Sequence, residues 1–224
     1  MSMNIVYLEL HSKDLQALVD FYSNVLELPI RVSKGTLEVK AGKTDLVFIE
    51  SPDFDGAYHF AFDIPENQIH AATVWLEPRT PLLKDERGND HFHHGGWNAD
   101  AFYFKDPAGN ILEFIARHDL KNSVEGDFES RHILNVSEIG LPSQDVIAFA
   151  NELCVRLGLS VFRQEPHKDF TPVGDNDGLF ILPAQGRIWY PNTGVPAKLL
   201  PVKVRVEVNG REWEIRGVPY EIIG

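Results

Sequence analysis

The segment Phe102-Tyr-Phe-Lys-Asp-Pro-Ala-Gly-Asn-Ile-Leu-Glu-Phe114 sets a single carboxylate, Glu113, inside an otherwise apolar strand. Burying a carboxylate costs several kcal/mol unless it is paired, hydrogen-bonded or coordinated to a metal. Two other alternating strands carry ionisable groups on one face. In Tyr58-His-Phe-Ala-Phe-Asp-Ile64, His59, Ala61 and Asp63 share a side; in Ile5-Val-Tyr-Leu-Glu-Leu-His11, Tyr7, Glu9 and His11 do, with Val6, Leu8 and Leu10 opposite. Imidazole and carboxylate together are the materials of a metal site or of acid–base chemistry. Sheets packed by their aliphatic faces would aim these groups into a cleft.

The elements that must position them form a repeat. Strand 4–11, a helix over about 13–26 and three strands near 30–32, 37–41 and 46–50 make one unit. A second unit has a strand from His59, a helix over about 66–76 and strands near 81–83, 101–104 and 111–115, with Asp106 to Asn110 as the turn before the last. Two such units are expected to pair and enclose a cleft in residues 1–117. Residues 118–131 are polar and read as a linker. Residues 132–224 read as a degenerate third unit: strand 133–141, a helix over 143–157 capped by Ser143 and ended by Gly158, and strands near 159–162, 170–173 and 179–182. A hairpin with an Asn209-Gly210 turn follows, and it is expected to pack on the third unit, within the chain or across a homodimer. The fold class is therefore α+β: paired βαβββ modules, a degenerate third module and a C-terminal hairpin.

The order and spacing of Asp14-Leu15 through Phe21-Tyr-Ser-Asn-Val-Leu26, His59-Phe-Ala-Phe62 and Phe102 to Glu113 resemble the vicinal oxygen chelate superfamily, which includes glyoxalase, extradiol dioxygenase, fosfomycin-resistance and bleomycin-resistance proteins. A fainter likeness extends over 133–190 through Glu138-Ile-Gly-Leu141 and Gly186-Arg-Ile-Trp-Tyr190. Catalytic members hold a divalent metal with a His on the first strand, a His opening the second unit and a Glu on the last strand. Carried across, the second and third positions are His59 and Glu113, and the first falls on Tyr7, whose phenol is a poor ligand unless ionised.

Three arrangements follow. Glu9 replaces the missing ligand; a His from the loop 84–96, which holds His91, His93 and His94, folds in; or no metal binds and Tyr7, His59 and Glu113 serve as hydrogen-bonding groups. The resemblance implies Mn, Fe, Zn or Ni as metal and no organic cofactor. It implies a glyoxalase- or dioxygenase-type enzyme acting on a small oxygenated substrate in the first domain, with Tyr7, Glu9 and Glu113 catalytic and His59, Glu113 and Glu9 as ligands. The alternative is a non-catalytic sequestering protein of the bleomycin-resistance type. Tyr103 matches a substrate-facing position, and His11 sits at the end of the same strand face as Glu9. The run His91-Phe-His-His-Gly-Gly-Trp97 reads as a surface loop or as a lid bringing His93 and Trp97 to substrate. Glu138 is assigned a structural or interface role, for want of a partner in the truncated last unit.

Composition bounds the rest. A formal net charge of −12 disfavours nucleic acid as partner, and neither a basic amphipathic run nor an apolar span points to a membrane. No signal peptide is visible, and the lone Cys154 excludes an internal disulfide, so a cytoplasmic monomer or homodimer binding a small molecule is expected. No nucleophile elbow, Walker loop or dinucleotide fingerprint is present.

Overall fold

Apolar–polar alternation along the strands sorts the chain into two sheets that share one core. The computed structural model describes residues 2–224. The first unit supplies β1 (Met3–Ser12), helix α1 (Gln16–Asp20) continued by a π-helical turn (Phe21–Val25), β2 (Ile30–Ser33), β3 (Thr36–Ala41) and β4 (Thr44–Glu50). The second supplies β5 (His59–Ile64), α2 (Ile69–Leu76), β6 (Phe92–His94), β7 (Ala99–Lys105) and β8 (Ile111–Arg117). Then come β9 (Asn135–Gly140), α3 (Val146–Leu157), β10 (Phe170–Gly174) and β11 (Leu179–Pro183), and finally β12 (Lys203–Val208), β13 (Arg211–Arg216) and β14 (Glu221–Ile223). The short strand expected near 81–83 is a single bridge, Leu82 to Phe104, and β6 takes the sheet edge instead. Helix α3 is capped by Asp145, whose carboxylate accepts from the Ala148 N–H at 3.0 Å, two residues beyond the expected Ser143.

One sheet runs β14-β13-β12-β1-β4-β3-β2 and the other β10-β11-β9-β5-β8-β7-β6. The α+β class with paired βαβββ modules is thus realised, but the partnership differs from the expected one. The first unit pairs with the C-terminal strands through antiparallel β1–β12, and the second with the third through antiparallel β5–β9. Each unit's first strand has an open edge, and in both cases an antiparallel strand from the later half of the chain fills it. An open edge is a row of unpaired N–H and C=O groups, so its closure is strongly favoured. The hairpin therefore extends the first unit's sheet, and Tyr220 just beyond it stacks on Phe149 of α3 in the third unit, so residues 132–224 give strands to both sheets.

The two sheets meet through Leu8, Leu10, Leu46 and Phe48 on one side and Phe60, Phe62, Phe104 and Phe114 on the other, all in one buried cluster. A bulge between Ile5 and Tyr7 lets Met3 and Ile5 join that core along with Leu8 and Leu10, and leaves Val6 half-buried. Residues 118–131 are docked rather than free. Asn122 Oδ1 accepts from the Glu66 N–H at 2.8 Å, and Phe128, buried, packs on Trp75 and Phe114 with ring centroids 5.2 and 5.7 Å away. With their aliphatic faces joined, each sheet turns its polar face outward, and the polar face of the second sheet carries the candidate site.

Candidate metal centre

A row of facing residues crosses the second sheet: Tyr103 on β7, Glu113 on β8, Ala61 on β5, Glu138 on β9 and Leu179 on β11. Glu113 and Glu138 are two strands apart, roughly 10 Å at the backbone by ordinary strand spacing. The methyl group of Ala61 between them leaves space for both side chains to lean inward. His59, two residues before Ala61 on the same face, closes the group. Ligand atoms of His59, Glu113 and Glu138 all lie within 4.8 Å of one another, and all three residues are buried. His59 Nε2 is 3.6 Å from Glu113 Oε2.

His59 and Glu138 are held from behind. His59 Nδ1 is 3.1 Å from the Ile111 carbonyl, which accepts the ring N–H and leaves Nε2 as the lone-pair nitrogen. The Trp189 ring packs on that imidazole with centroids 5.0 Å apart. Gly140 makes this possible, because a Cβ there would stand 2.5 Å from Trp189 Cη2. A bulge in the β5–β9 pairing next to Ala61 turns Ser137 and Glu138 toward the same buried cation, Arg117. Arg117 donates to Glu138, to Asp63 at 2.7 Å and to Ser137 Oγ at 3.0 Å.

Burial dominates the electrostatics. It pushes His59 down to about 4, so the imidazole is neutral. Burial first, then the neighbouring Glu138 charge, holds the Glu113 carboxyl well above its ordinary range, while Arg117 and a Tyr103 hydrogen bond act against this. Burial raises Glu138 to about 7 and Asp63 to about 6, with Arg117 opposing in both. When ionised, the buried Asp63, Glu113 and Glu138 set three negative charges beside one buried cation, Arg117, a deficit of two positive charges among the buried groups. A divalent cation would supply that charge. One imidazole and two carboxylates form an N/O donor set, and the 3.6 Å separation suits ligands about 2.0–2.2 Å from a shared ion. Arg117 engages one oxygen of Glu138, which leaves the other for coordination.

Above these groups lies a cavity of about 380 Å³, walled by Trp97, Tyr103, Phe170, Trp189 and Tyr190, with His94, Gln164, Ile181 and Arg187 completing it. Of the residues singled out by sequence, His59, Glu113, Tyr103 and Trp97 come together here. Tyr7 and Glu9 do not. They lie on the other sheet, where Tyr7 donates to Glu9 Oε2 at 2.5 Å under the Arg205 guanidinium and Lys203 stands 3.7 Å from Glu9. Their strand is paired to β12 and β4, so neither Glu9 nor Tyr7 can complete the His59–Glu113 set. His11 Nδ1 is 2.7 Å from Ser51 Oγ, far along the same strand. His93 points away and pairs with Asp100 at 2.8 Å, while its neighbour His94 enters the cavity, 3.2 Å from the Tyr103 hydroxyl. Alternation along β6 decides between the two histidines. Glu138, given a structural role from sequence, is the third member of the cluster. A signal was there, an acid inside the apolar strand 133–141, but its partners are in the second unit and not in the last.

No family model and no curated protein matches the chain. Solved structures do. A putative dioxygenase from Bacillus subtilis superposes with a TM-score of 0.58 at 21% identity, over 81% of this chain and 64% of that one. Glyoxalase I from Zea mays gives 0.52 at 14% identity, over 81% of this chain and 66% of its own length. The chain thus spans just under two thirds of these two proteins. A glyoxalase/bleomycin resistance protein/dioxygenase from Alicyclobacillus acidocaldarius matches 54% of the chain over 96% of its length, with a TM-score of 0.43 at 20% identity. At 21% and 14% identity the first two superpositions show architecture alone: the chain carries the paired-module fold of the dioxygenase and glyoxalase structures.

Proposed function

We propose that the chain is a metal-dependent enzyme of the glyoxalase or dioxygenase type, acting on a small substrate with adjacent oxygens in the cavity between its second and third units. The observation that carries this is the buried convergence of His59, Glu113 and Glu138 at the floor of that cavity. His59 Nε2 and one oxygen each from Glu113 and Glu138 would hold Mn, Fe, Zn or Ni. When bound, such an ion supplies Lewis-acid stabilisation of negative charge on substrate oxygens.

The protein's own groups do the remainder. Trp189 and Tyr103 wall the floor and exclude water, so each electrostatic contact there is stronger than in solution. The Ile111 carbonyl fixes the His59 tautomer, and Arg117 fixes Glu138. The Tyr103 hydroxyl, with Glu113 on one side and His94 on the other, is a donor already aimed at the cavity floor and is suited to holding a proton against a substrate oxygen.

Acetohydroxamate, which chelates through two adjacent oxygens, tests this. Calorimetry should show that it binds the Mn²⁺-loaded protein and not the chelator-treated protein. Equal affinity in both states would point to a pocket that sequesters ligands without metal chemistry.

A further inference from the structure

Arg187 is the only residue lining the cavity with a permanent positive charge. Its guanidinium lies over the Phe170 ring, 4.8 Å from the centroid. The carboxylate it would otherwise take, Asp169, is engaged by Lys168 at 3.0 Å and His167 at 3.7 Å. Among the described residues the Arg187 side chain makes no hydrogen bond or ion pair. Partial withdrawal from water holds its pKa below the ordinary value, with the nearby Asp169 charge acting against this. Elsewhere the chain is strongly acidic, at −12 overall, so an anion would be repelled from most of its surface. The cavity mouth is an exception, with a forked cation over an aromatic ring, five donors in a fixed plane and no protein acceptor among the described residues.

We infer that Arg187 selects a substrate bearing a carboxylate at the end remote from its adjacent oxygens, with a flat apolar body between the two. The oxygens lie toward His59, Glu113 and Glu138, the body passes between the aromatic walls, and the carboxylate meets the guanidinium side-on. A cavity of about 380 Å³ is at the small end of ligand pockets, which suits a single ring and its substituents. The inference rests on the proposed site but concerns its specificity.

Catechol and 3,4-dihydroxybenzoate differ by the carboxylate alone and serve as probes. Calorimetry on the Mn²⁺-loaded protein should show 3,4-dihydroxybenzoate binding at least 10-fold more tightly. The ratio should fall to within twofold in Arg187→Gln, recover in part in Arg187→Lys, and stay unchanged in Arg211→Gln, whose arginine lies over Trp213 on the other sheet. It should also shrink with added salt, as an exposed charge pair does. If Mn²⁺ binds and the two probes bind equally, the inference is overturned and the metal site stands. If the chain binds no Mn²⁺ and still prefers the carboxylate through Arg187, the inference stands and the metal site falls. Failure of both probes to bind overturns the inference.

Discussion

Glu113 and Glu138 face each other across Ala61, each in register with it on a different neighbouring strand. One belongs to the second unit and the other to the third, so the site exists only because β5 and β9 pair. Ala61 is fully buried and is the small residue of that row. Replacing it with Leu should force the carboxylates apart and destabilise the protein by about 1–3 kcal/mol, the usual cost of overpacking. Urea midpoints with and without Mn²⁺ check this: the ion should stabilise the native protein and have little effect on Ala61→Leu.

Arg117 is among the largest fully buried side chains and is ion-paired to both Asp63 and Glu138. Removing one partner of a buried ion pair strands the other, at a cost of about 3–5 kcal/mol. Arg117→Met should therefore be among the most destabilising single changes on the second sheet, as measured by chemical denaturation of metal-free protein. A loss under 1 kcal/mol would mean that water reaches Asp63 and Glu138.

Much of the fold was legible and the pairing was not. Strand–helix–strand order follows from alternation and from caps and turns that are local in sequence, such as Asp106 to Asn110 and Asn209-Gly210. Which unit meets which depends on the open edges of β1 and β5, and nothing near His59 or Tyr7 encodes the partner. His59 and Glu113 could be found because both lie in one unit. Glu138 carried the same signal as Glu113, an acid in an apolar strand, but its meaning depends on a register 77 positions away from Ala61. Arg187 and Trp189 come from an irregular loop with no periodicity to read.

The electrostatics make a pH prediction for metal-free protein. Glu138, raised to about 7, and Glu113, held well above its ordinary range, keep protons in the native state that the unfolded chain has already lost by neutral pH. The unfolded carboxyl ionises at about pH 4.3 while the native one keeps its proton, so stability falls as pH rises from there, and the fall ends once pH has passed the native pKa. His59, lowered to about 4, acts in the opposite sense as pH rises from about 4 to about 7.5, by which the unfolded imidazole has lost its proton. Above about pH 6.5 only the tail of that effect remains, and the carboxyls set the sign. Chelator-treated protein should have a lower urea midpoint at pH 8.5 than at pH 6.5, and saturating Mn²⁺ should remove or reverse the difference. A midpoint that rises with pH without metal would contradict the assignment.

Tyr7 and Glu9 sit on the other sheet, so Tyr7→Phe and Glu9→Gln should leave Mn²⁺ affinity within twofold of the native value. A tenfold loss from either would return the first strand to the site.

Residues 1–117 alone would expose the edges of both β1 and β5, which β12 and β9 cover in the full chain. Two unpaired strand edges above an uncovered core favour edge-to-edge association. The fragment should aggregate or form higher oligomers in size-exclusion chromatography. A folded, monomeric fragment would show that the first two units can pair with each other.

If His59, Glu113 and Glu138 form one divalent-metal site, calorimetric titration of Mn²⁺ into tag-free, chelator-treated protein should find one ion per chain. His59→Ala, Glu113→Gln and Glu138→Gln should each lose at least about 10-fold in affinity, with the Glu138 change as damaging as the other two. No binding to the native protein, or binding that all three variants retain, would show that these three residues do not hold a metal together.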